Sequence, residues 1–134
     1  MDDLLQIQQL YARYAWALDE RRDEEWLECF SEGGSVESSM FGRFQGREAL
    51  RRFLVKYHNA FKTMQLRHLN SNLLIDISSD KAEGRCYLVL YSSRRGRADI
   101  NAIGIYRDQL QLIDDGRWLF VSRHVTWDYS GTWT

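Results

Sequence analysis

Three histidines, His58, His68 and His124, are the side chains of this sequence best suited to proton transfer near neutral pH. A histidine whose second ring nitrogen donates to a carboxylate is held in the tautomer that accepts a proton, as elimination and enolisation require. Neither HxH nor HExxH occurs, so we predict no metal site. GxSxG, a phosphate loop and a dinucleotide fingerprint are also missing. The histidines are therefore the candidates for acid–base chemistry, which their residue type permits.

The sequence around each candidate leaves its role open. Strand-like alternation puts His68 in phase with Asn70 and Asn72, opposite a row of leucines and isoleucines. That polar phase fits either a solvent-exposed face or the polar wall of a pocket. Asp19 lies in the polar run DERRD, where the simplest interpretation is a helix-end acid paired in water with a neighbouring arginine.

Helical periodicity dominates the N-terminal half of the chain. Apolar residues over 3–20 follow the three-and-four spacing of one helical stripe. A short second helix is expected to begin at Asp23 and the helical pair to end at the glycines 33–34. A hairpin over 35–44 and a third helix over 47–61 are predicted next.

Strand patterns replace helical ones in the C-terminal half. Four long segments, separated by the turn signals SSD, RRGR and DDG, are predicted to be antiparallel neighbours. Their expected bounds are 66–78, 82–94, 98–113 and 117–129. Helices followed by a long antiparallel sheet predict an α+β fold, and with no internal linker we expect one domain over 1–134.

The second of these strands carries apolar side chains on both faces. Leu88 and Leu90 alternate with Tyr87 and Val89. Because both faces of such a strand must be covered, we expect the helices on one side of the sheet and a second subunit on the other.

Composition excludes several classes of partner. The net charge of −1 offers no general attraction for phosphate, so we predict no nucleic-acid partner. Mean hydropathy is −0.50, and no apolar run approaches the ~20 residues of a bilayer span, so we predict no membrane partner and a cytoplasmic location. Cys29 and Cys86 are predicted to be buried free thiols. Aromatic residues make up 13% of the chain, a surplus that predicts a ligand pocket or a subunit interface.

Four segments of the chain carry a family resemblance: IQQLYARYAWALDERRDEEWLECF, QGREAL, RHLNSN and IGIYRDQLQLIDDGRWLFVSR. Together they resemble the SnoaL-like branch of the nuclear transport factor 2-like superfamily. The closing signature of that branch matches Gly104, Tyr106, Asp108, Asp115, Gly116, Trp118, Phe120 and Arg123. The resemblance implies a cystatin-like α+β barrel, a cone in which three N-terminal helices pack on a long curved antiparallel sheet. It also implies an internal pocket and a homodimer or homotrimer formed through the sheet.

The resemblance further implies a catalytic site. Asp19 and His68 match the aspartate and catalytic histidine of the hexachlorocyclohexane dehydrochlorinase and bile-acid dehydratase types, and Tyr14 matches a tyrosine of the latter. His68 would then abstract a proton, Asp19 would orient it, and Tyr14 would donate a hydrogen bond to developing negative charge. On an ideal helix Tyr14 lies about 140° from Asp19, so a shared pocket requires the helix end to face the cavity.

Residues near the C-terminus are expected to complete the pocket. Arg123 and His124 lie on opposite faces of the last predicted strand, so at most one points inward, and the sequence does not choose between them. The predicted substrate contacts are Tyr106, Trp118, Phe120, Arg123 and Trp127.

The function implied by the resemblance is that of a cofactor-independent lyase or isomerase. Dehydratase, dehydrohalogenase and cyclase types all belong to the superfamily, and a small hydrophobic cyclic or polyketide-like molecule is the expected substrate. Non-catalytic subunits of ring-hydroxylating dioxygenases share the fold, so a ligand-binding or assembly subunit is the alternative. Fold does not decide between these functions.

Overall fold

The computed structural model describes residues 2–131, in which three helices precede or interrupt six strands. The helices are α1 (Asp3–Asp19), α2 (Asp23–Leu27) and α3 (Arg47–Ala60). The strands are β1 (Phe30–Ser38), β2 (Gly42–Gln45), β3 (Gln65–Ser78), β4 (Lys81–Arg94), β5 (Arg97–Leu112) and β6 (Trp118–Ser130). Within residues 2–131, no helix is long and apolar enough to cross a bilayer.

The sequence patterns located the long elements well and β1 poorly. The four long strands begin and end within one residue of their predicted bounds. The expectation that the glycines 33–34 end the helical pair is wrong, because β1 begins at Phe30 and runs through them. Gly34 is needed there because a Cβ would lie 3.1 Å from the backbone oxygen of Phe120 in β6.

All six strands form one sheet in the order β2-β1-β6-β5-β4-β3. The predicted antiparallel pairing of the four long strands is confirmed. The pair formed by β1 and β6 is parallel, which the sequence did not indicate. α1 packs against β3 and β6, and α3 packs against β1 and β2, so one face of the sheet is covered by helices. We call this the inner face.

Two bulges change which side chains reach the inner face. In β6, Phe120 pairs with Leu110 and Ser122 with Gln109, so Val121 is an extra residue. Phe120 and Arg123 are therefore both buried, although strict alternation would separate them. His124 is exposed on the outer face, so Arg123 is the one of the two residues that points inward.

The second bulge lies in β3 after His68. Ser71 pairs with Tyr87 and Leu74 with Arg85, so two residues of β3 face one of β4. Asn72 within this bulge has φ of 58°, a left-handed conformation that asparagine tolerates. The bulge turns Leu74 outward, where it is 59% exposed, and ends the strict alternation that put His68 in phase with Asn70 and Asn72.

Candidate active site

The end of α1 places Asp19 against β3. Asp2 caps the start of the helix, where its carboxylate accepts the backbone N–H of Leu5 at 2.8 Å. Arg21, just beyond the helix, has φ of 58° and donates from its guanidinium to the backbone oxygen of Phe61 at 3.2 Å. Asp19 is thus not paired with this arginine in water, and its side chain is only 7% exposed.

The Asp19 carboxylate binds His68 twice. One carboxylate oxygen lies 2.5 Å from the ring Nδ1 of His68, and the other accepts the backbone N–H of the same residue at 2.9 Å. Since an ionised carboxylate only accepts hydrogen bonds, Nδ1 carries the proton and Nε2 keeps its lone pair. The His68 side chain is 4% exposed, so water competes little for these contacts. This arrangement holds the imidazole in the tautomer of a general base.

Tyr57 of α3 lies beside the free nitrogen of His68. Its hydroxyl is 3.4 Å from Nε2, and the two rings stack with centroids 6.3 Å apart at 30°. Burial, and after it the negative charge of Asp19, raise the pKa of the Tyr57 phenol well above its usual value of 10.0. Tyr57 is therefore a protonated donor at neutral pH.

A small internal cavity adjoins this pair. Its volume is about 30 Å³, which is room for one or two water molecules. The wall is formed by residues from α1, β1, the β1–β2 turn, α3 and the long strands: Tyr14, Leu18, Val36, Ser38, Met40, Phe41, Phe53, Tyr57, Phe61, His68, Leu90, Tyr106, Val125 and Trp127. A cyclic substrate therefore requires part of this wall to move.

Tyr14 and Tyr106 form an aromatic part of the cavity wall. Their ring centroids are 6.1 Å apart, and both side chains are almost fully buried. Burial raises the pKa of each phenol, while the nearby cation of Arg123 acts in the opposite sense. Tyr14 lines the same cavity as His68, as does Leu18 one turn later on the same face of α1.

The predicted substrate contacts divide into two groups. Tyr106 and Trp127 line the cavity, whereas Trp118, Phe120 and Arg123 do not. The indole N–H of Trp118 donates to Asp3 at 2.9 Å, at the opposite end of α1 from Asp19. Phe120 packs beneath the ring of Tyr14, with centroids 5.7 Å apart. These three side chains are therefore not part of the cavity wall, and substrate contact by Tyr106 and Trp127 stays a prediction.

Arg123 belongs to a buried ion pair instead. Its Nε donates to one oxygen of Asp108 at 2.9 Å and its Nη2 to the other at 3.1 Å, and both side chains are fully buried. The Tyr11 hydroxyl also donates to Asp108. Burial alone would lower the pKa of Arg123, but the Asp108 carboxylate raises it.

Aromatic rings surround the guanidinium of Arg123. Its central carbon lies 3.6 Å from the ring centroid of Tyr106 and 4.3 Å from that of Tyr14. The guanidinium of the ion pair thus packs against the rings of both phenols that line the cavity.

Sequence reasoning missed the contribution of α3 to the cavity. Phe53, Tyr57 and Phe61 recur every four residues, a signal that we interpreted only as the buried stripe of a helix. Phe41 and Met40, in the turn between β1 and β2, were also missed, because a turn residue near a cavity carries no periodic signal.

The remaining titratable side chains lie away from the cavity. The His58 side chain is mostly buried, and its Nε2 lies 2.8 Å from Asp23. The free thiols of Cys29 and Cys86 are buried as predicted, and burial raises their pKa values to about 12 and about 11. Among residues 2–131, no three acidic, histidine or cysteine side chains are close enough together to hold a metal ion.

Comparisons with known proteins agree with this architecture. The family model described as a SnoaL-like domain matches residues 1–124. No curated protein sequence matches the chain. A Nostoc punctiforme protein of unknown function with a cystatin-like fold is 27% identical, covers 94% of this chain and 91% of its own, and superposes with a TM-score of 0.83. The expected cystatin-like α+β fold is therefore confirmed.

Two further similar structures have descriptions that name a bound molecule or an enzyme type. A Catenulispora acidiphila protein in complex with S-DNPA is 30% identical over 93% of this chain and 92% of that one, with a TM-score of 0.85. A putative scytalone dehydratase from Novosphingobium aromaticivorans is 24% identical over 98% of this chain and 88% of that one, with a TM-score of 0.84. The second likeness is one of fold alone.

Proposed function

The chain belongs to the SnoaL-like family, and we propose that it is a cofactor-independent lyase or isomerase in which Asp19 and His68 remove a carbon-bound proton. The observation that carries this proposal is the double contact between the Asp19 carboxylate and His68, which leaves the lone pair of Nε2 beside the internal cavity, 3.4 Å from the Tyr57 hydroxyl. A neutral imidazole oriented in this way is the usual base for elimination and enolisation.

The substrate that we propose is a small hydrophobic cyclic or polyketide-like molecule. The cavity wall is largely aromatic and aliphatic, which favours flat apolar ligands. One 30% identical relative was solved with a small molecule, S-DNPA, and one protein of the same fold is named a putative scytalone dehydratase. Tyr14 is proposed to donate a hydrogen bond to negative charge that develops on the bound substrate.

Proton abstraction is testable without the natural substrate. Cyclohexanone and 2-tetralone are incubated with the protein in D₂O, and loss of their α-proton signals is followed by NMR. We expect His68→Gln to abolish the contribution of the protein to exchange. Asp19→Asn is expected to lower it by about 10²–10⁴-fold, because the tautomer of His68 is then no longer held.

The control for this experiment is His124→Gln, which removes an exposed histidine 3.5 Å from Glu37 on the outer face. This variant is expected to exchange the ketones at the wild-type rate. Wild-type exchange by His68→Gln would overturn the proposed function.

A second candidate function is supported by the size of the cavity. A volume of about 30 Å³ approaches the filled cone expected of a non-catalytic subunit, such as the β-subunit of a ring-hydroxylating dioxygenase. Under this alternative, affinity purification returns a stable iron-containing partner chain. A purified homo-oligomer that exchanges the ketones argues against it.

We also propose that the protein is a cytoplasmic homodimer or homotrimer. Apolar side chains are exposed on the outer face of the sheet, among them Leu69, Tyr87, Ile103 and Tyr129, each between 36% and 54% exposed. Leu69 and Ile103 flank Val89 in register across three strands, so the apolar surface is continuous. A second copy seated on this face would remove it from water.

A further inference from the structure

A surface groove lies between α1 and β3, the outermost strand at one end of the sheet. Its volume is about 440 Å³, which is within the range of small-molecule sites. Its walls include Gln8, Ala12 and Trp16 from α1 and Leu69, Asn70 and Leu73 from β3. We call it the α1–β3 groove. It is much larger than the internal cavity and lies outside it, although His68 lines both.

The helical wall of this groove has a gap at Ala12. Gln8, Ala12 and Trp16 are spaced four residues apart, so they lie above one another on one face of α1. All three residues are exposed, and Trp16 is 68% exposed. The methyl group of Ala12 is much shorter than the side chains on either side of it, so a space remains between Gln8 and Trp16. The indole of Trp16 adds an aromatic surface to that space.

The strand wall presents an open part of the sheet edge. The backbone N–H of His68 points away from β4, because it donates to Asp19 at 2.9 Å. Alternate residues of an antiparallel strand direct their backbone groups the same way, so the N–H and C=O of Asn70 also point to the edge. Side chains close this edge at Leu66, whose C=O accepts from Arg67 at 2.9 Å, but among residues 2–131 none bonds to the backbone of Asn70.

The side chain of Asn70 supplies a further acceptor. Its Oδ1 is buried and has no hydrogen-bond partner in the part of the chain that the structure describes. A buried acceptor without a donor is unfavourable, and a ligand that brings a donor removes that cost. Asn70 therefore offers the groove one backbone donor and two acceptors. This set favours a ligand with an acceptor and a donor side by side.

We propose that the α1–β3 groove binds a flat, neutral aromatic molecule whose edge carries a hydrogen-bond acceptor beside a donor, as a fused-ring lactam does. The ring packs on Trp16 over Ala12, its carbonyl accepts the backbone N–H of Asn70, and its N–H donates to an Asn70 oxygen. The ligand is neutral because both oxygens of Asp19, the acid of the groove, already bind His68. This site goes beyond the proposed function, since its ligand lies outside the internal cavity and is not a reactant.

A pair of quinolones tests the hydrogen-bond pattern by NMR titration of ¹⁵N-labelled protein. 2-Quinolone carries the acceptor and the donor, whereas 1-methyl-2-quinolone keeps the ring and the carbonyl but lacks the N–H. We expect 2-quinolone to bind with a Kd of about 1 mM, as its size permits, and to move the Asn70 backbone amide downfield. The methylated ligand is expected to bind at least about tenfold more weakly.

Three results of this titration would overturn the proposal. The first is no binding of 2-quinolone at roughly 10 mM. The second is equal affinity for the two ligands, and the third is an Asn70 amide that does not move at saturation.

Filling the gap in the helical wall tests the position of the ligand. Ala12→Leu is expected to abolish the binding of 2-quinolone, and Trp16→Ala to weaken it by at least about threefold. Gln9→Leu is the matched control, because Gln9 is also exposed on α1 but does not line the groove, and it is expected to bind as the wild type does. Unchanged binding by Ala12→Leu would place the ligand elsewhere and refute the site.

The same variants distinguish a small molecule from a second copy of the chain. We expect Ala12→Leu and Gln9→Leu to keep the wild-type mass in light scattering. If Ala12→Leu alone dissociates an oligomer, the groove is a subunit interface and the small-molecule assignment is wrong.

Discussion

Asp108 illustrates how a single residue supports the site from a distance. Its carboxylate receives two hydrogen bonds from Arg123 and one from Tyr11, all without access to water. Breaking a buried ion pair by removing one charge leaves the other uncompensated. Because Arg123 lies under the rings of Tyr14 and Tyr106, loss of Asp108 is expected to loosen the cavity wall as well as the core.

Asp108→Asn is expected to lower the free energy of unfolding by about 3–5 kcal/mol, as measured by urea denaturation. The control is Asp115→Asn, which removes an exposed partner of Arg117 and is expected to change that free energy by less than about 1 kcal/mol. Equal effects of the two substitutions would show that the buried pair does not stabilise the fold.

The two buried thiols give a second prediction at this scale. With pKa values raised to about 12 and about 11, Cys29 and Cys86 carry almost no thiolate at pH 8. Ellman's reagent is expected to label neither thiol in the native protein within minutes and both after unfolding in guanidinium. Rapid labelling of a native thiol would contradict the burial described for it.

The turn between β1 and β2 forms part of the cavity wall. Phe41 in this turn contacts the rings of Phe53 and Tyr57, with centroids 5.7 Å and 5.9 Å away. Phe41→Ala is expected to enlarge the cavity and to strengthen indole binding by at least about tenfold, or about 1.4 kcal/mol, in isothermal titration calorimetry.

Phe44→Ala is the matched control for this substitution. Phe44 also packs against Phe53, with ring centroids 5.5 Å apart, but does not line the cavity. Indole binding by this variant is expected to equal that of the wild type. If both substitutions strengthen binding alike, the turn is not what closes the cavity.

Elements were easier to predict from the sequence than the direction of their side chains. Period and turn signals placed α1, α3 and the four long strands, because each is long and strongly patterned. The extra residue at Val121 puts Phe120 and Arg123 on the same face of the sheet. The alternation of apolar and polar residues in β6 does not predict such an insertion. The parallel pairing of β1 with β6 likewise depends on residues about 90 positions apart, which periodicity does not report.

The contacts within the candidate site were likewise not predictable from local sequence patterns. Asp19 and His68 are separated by 48 residues, and only the family resemblance suggested that they meet, because each has an ordinary polar context in the sequence. Tyr57 lies within the predicted third helix, but its 3.4 Å contact with His68 depends on tertiary packing that the helical period does not report.

At the scale of the whole molecule, the outer face of the sheet exposes apolar side chains that the helices do not cover. If a second copy covers the outer face, Ile103→Lys is expected to convert the oligomer to monomer in size-exclusion chromatography with light scattering. Val55→Lys, on the exposed side of α3, is the control because Val55 is 62% exposed and far from the sheet's outer face. An oligomer that survives Ile103→Lys would place the interface elsewhere.

The central claim is that His68, held by Asp19, removes a proton from carbon. The most direct test is the rate of α-proton exchange of cyclohexanone in D₂O, measured side by side for the wild type and His68→Gln. We expect the wild type to exchange the ketone faster than buffer alone and His68→Gln to match the buffer. Equal rates for the two proteins would contradict the assignment of His68 as the base.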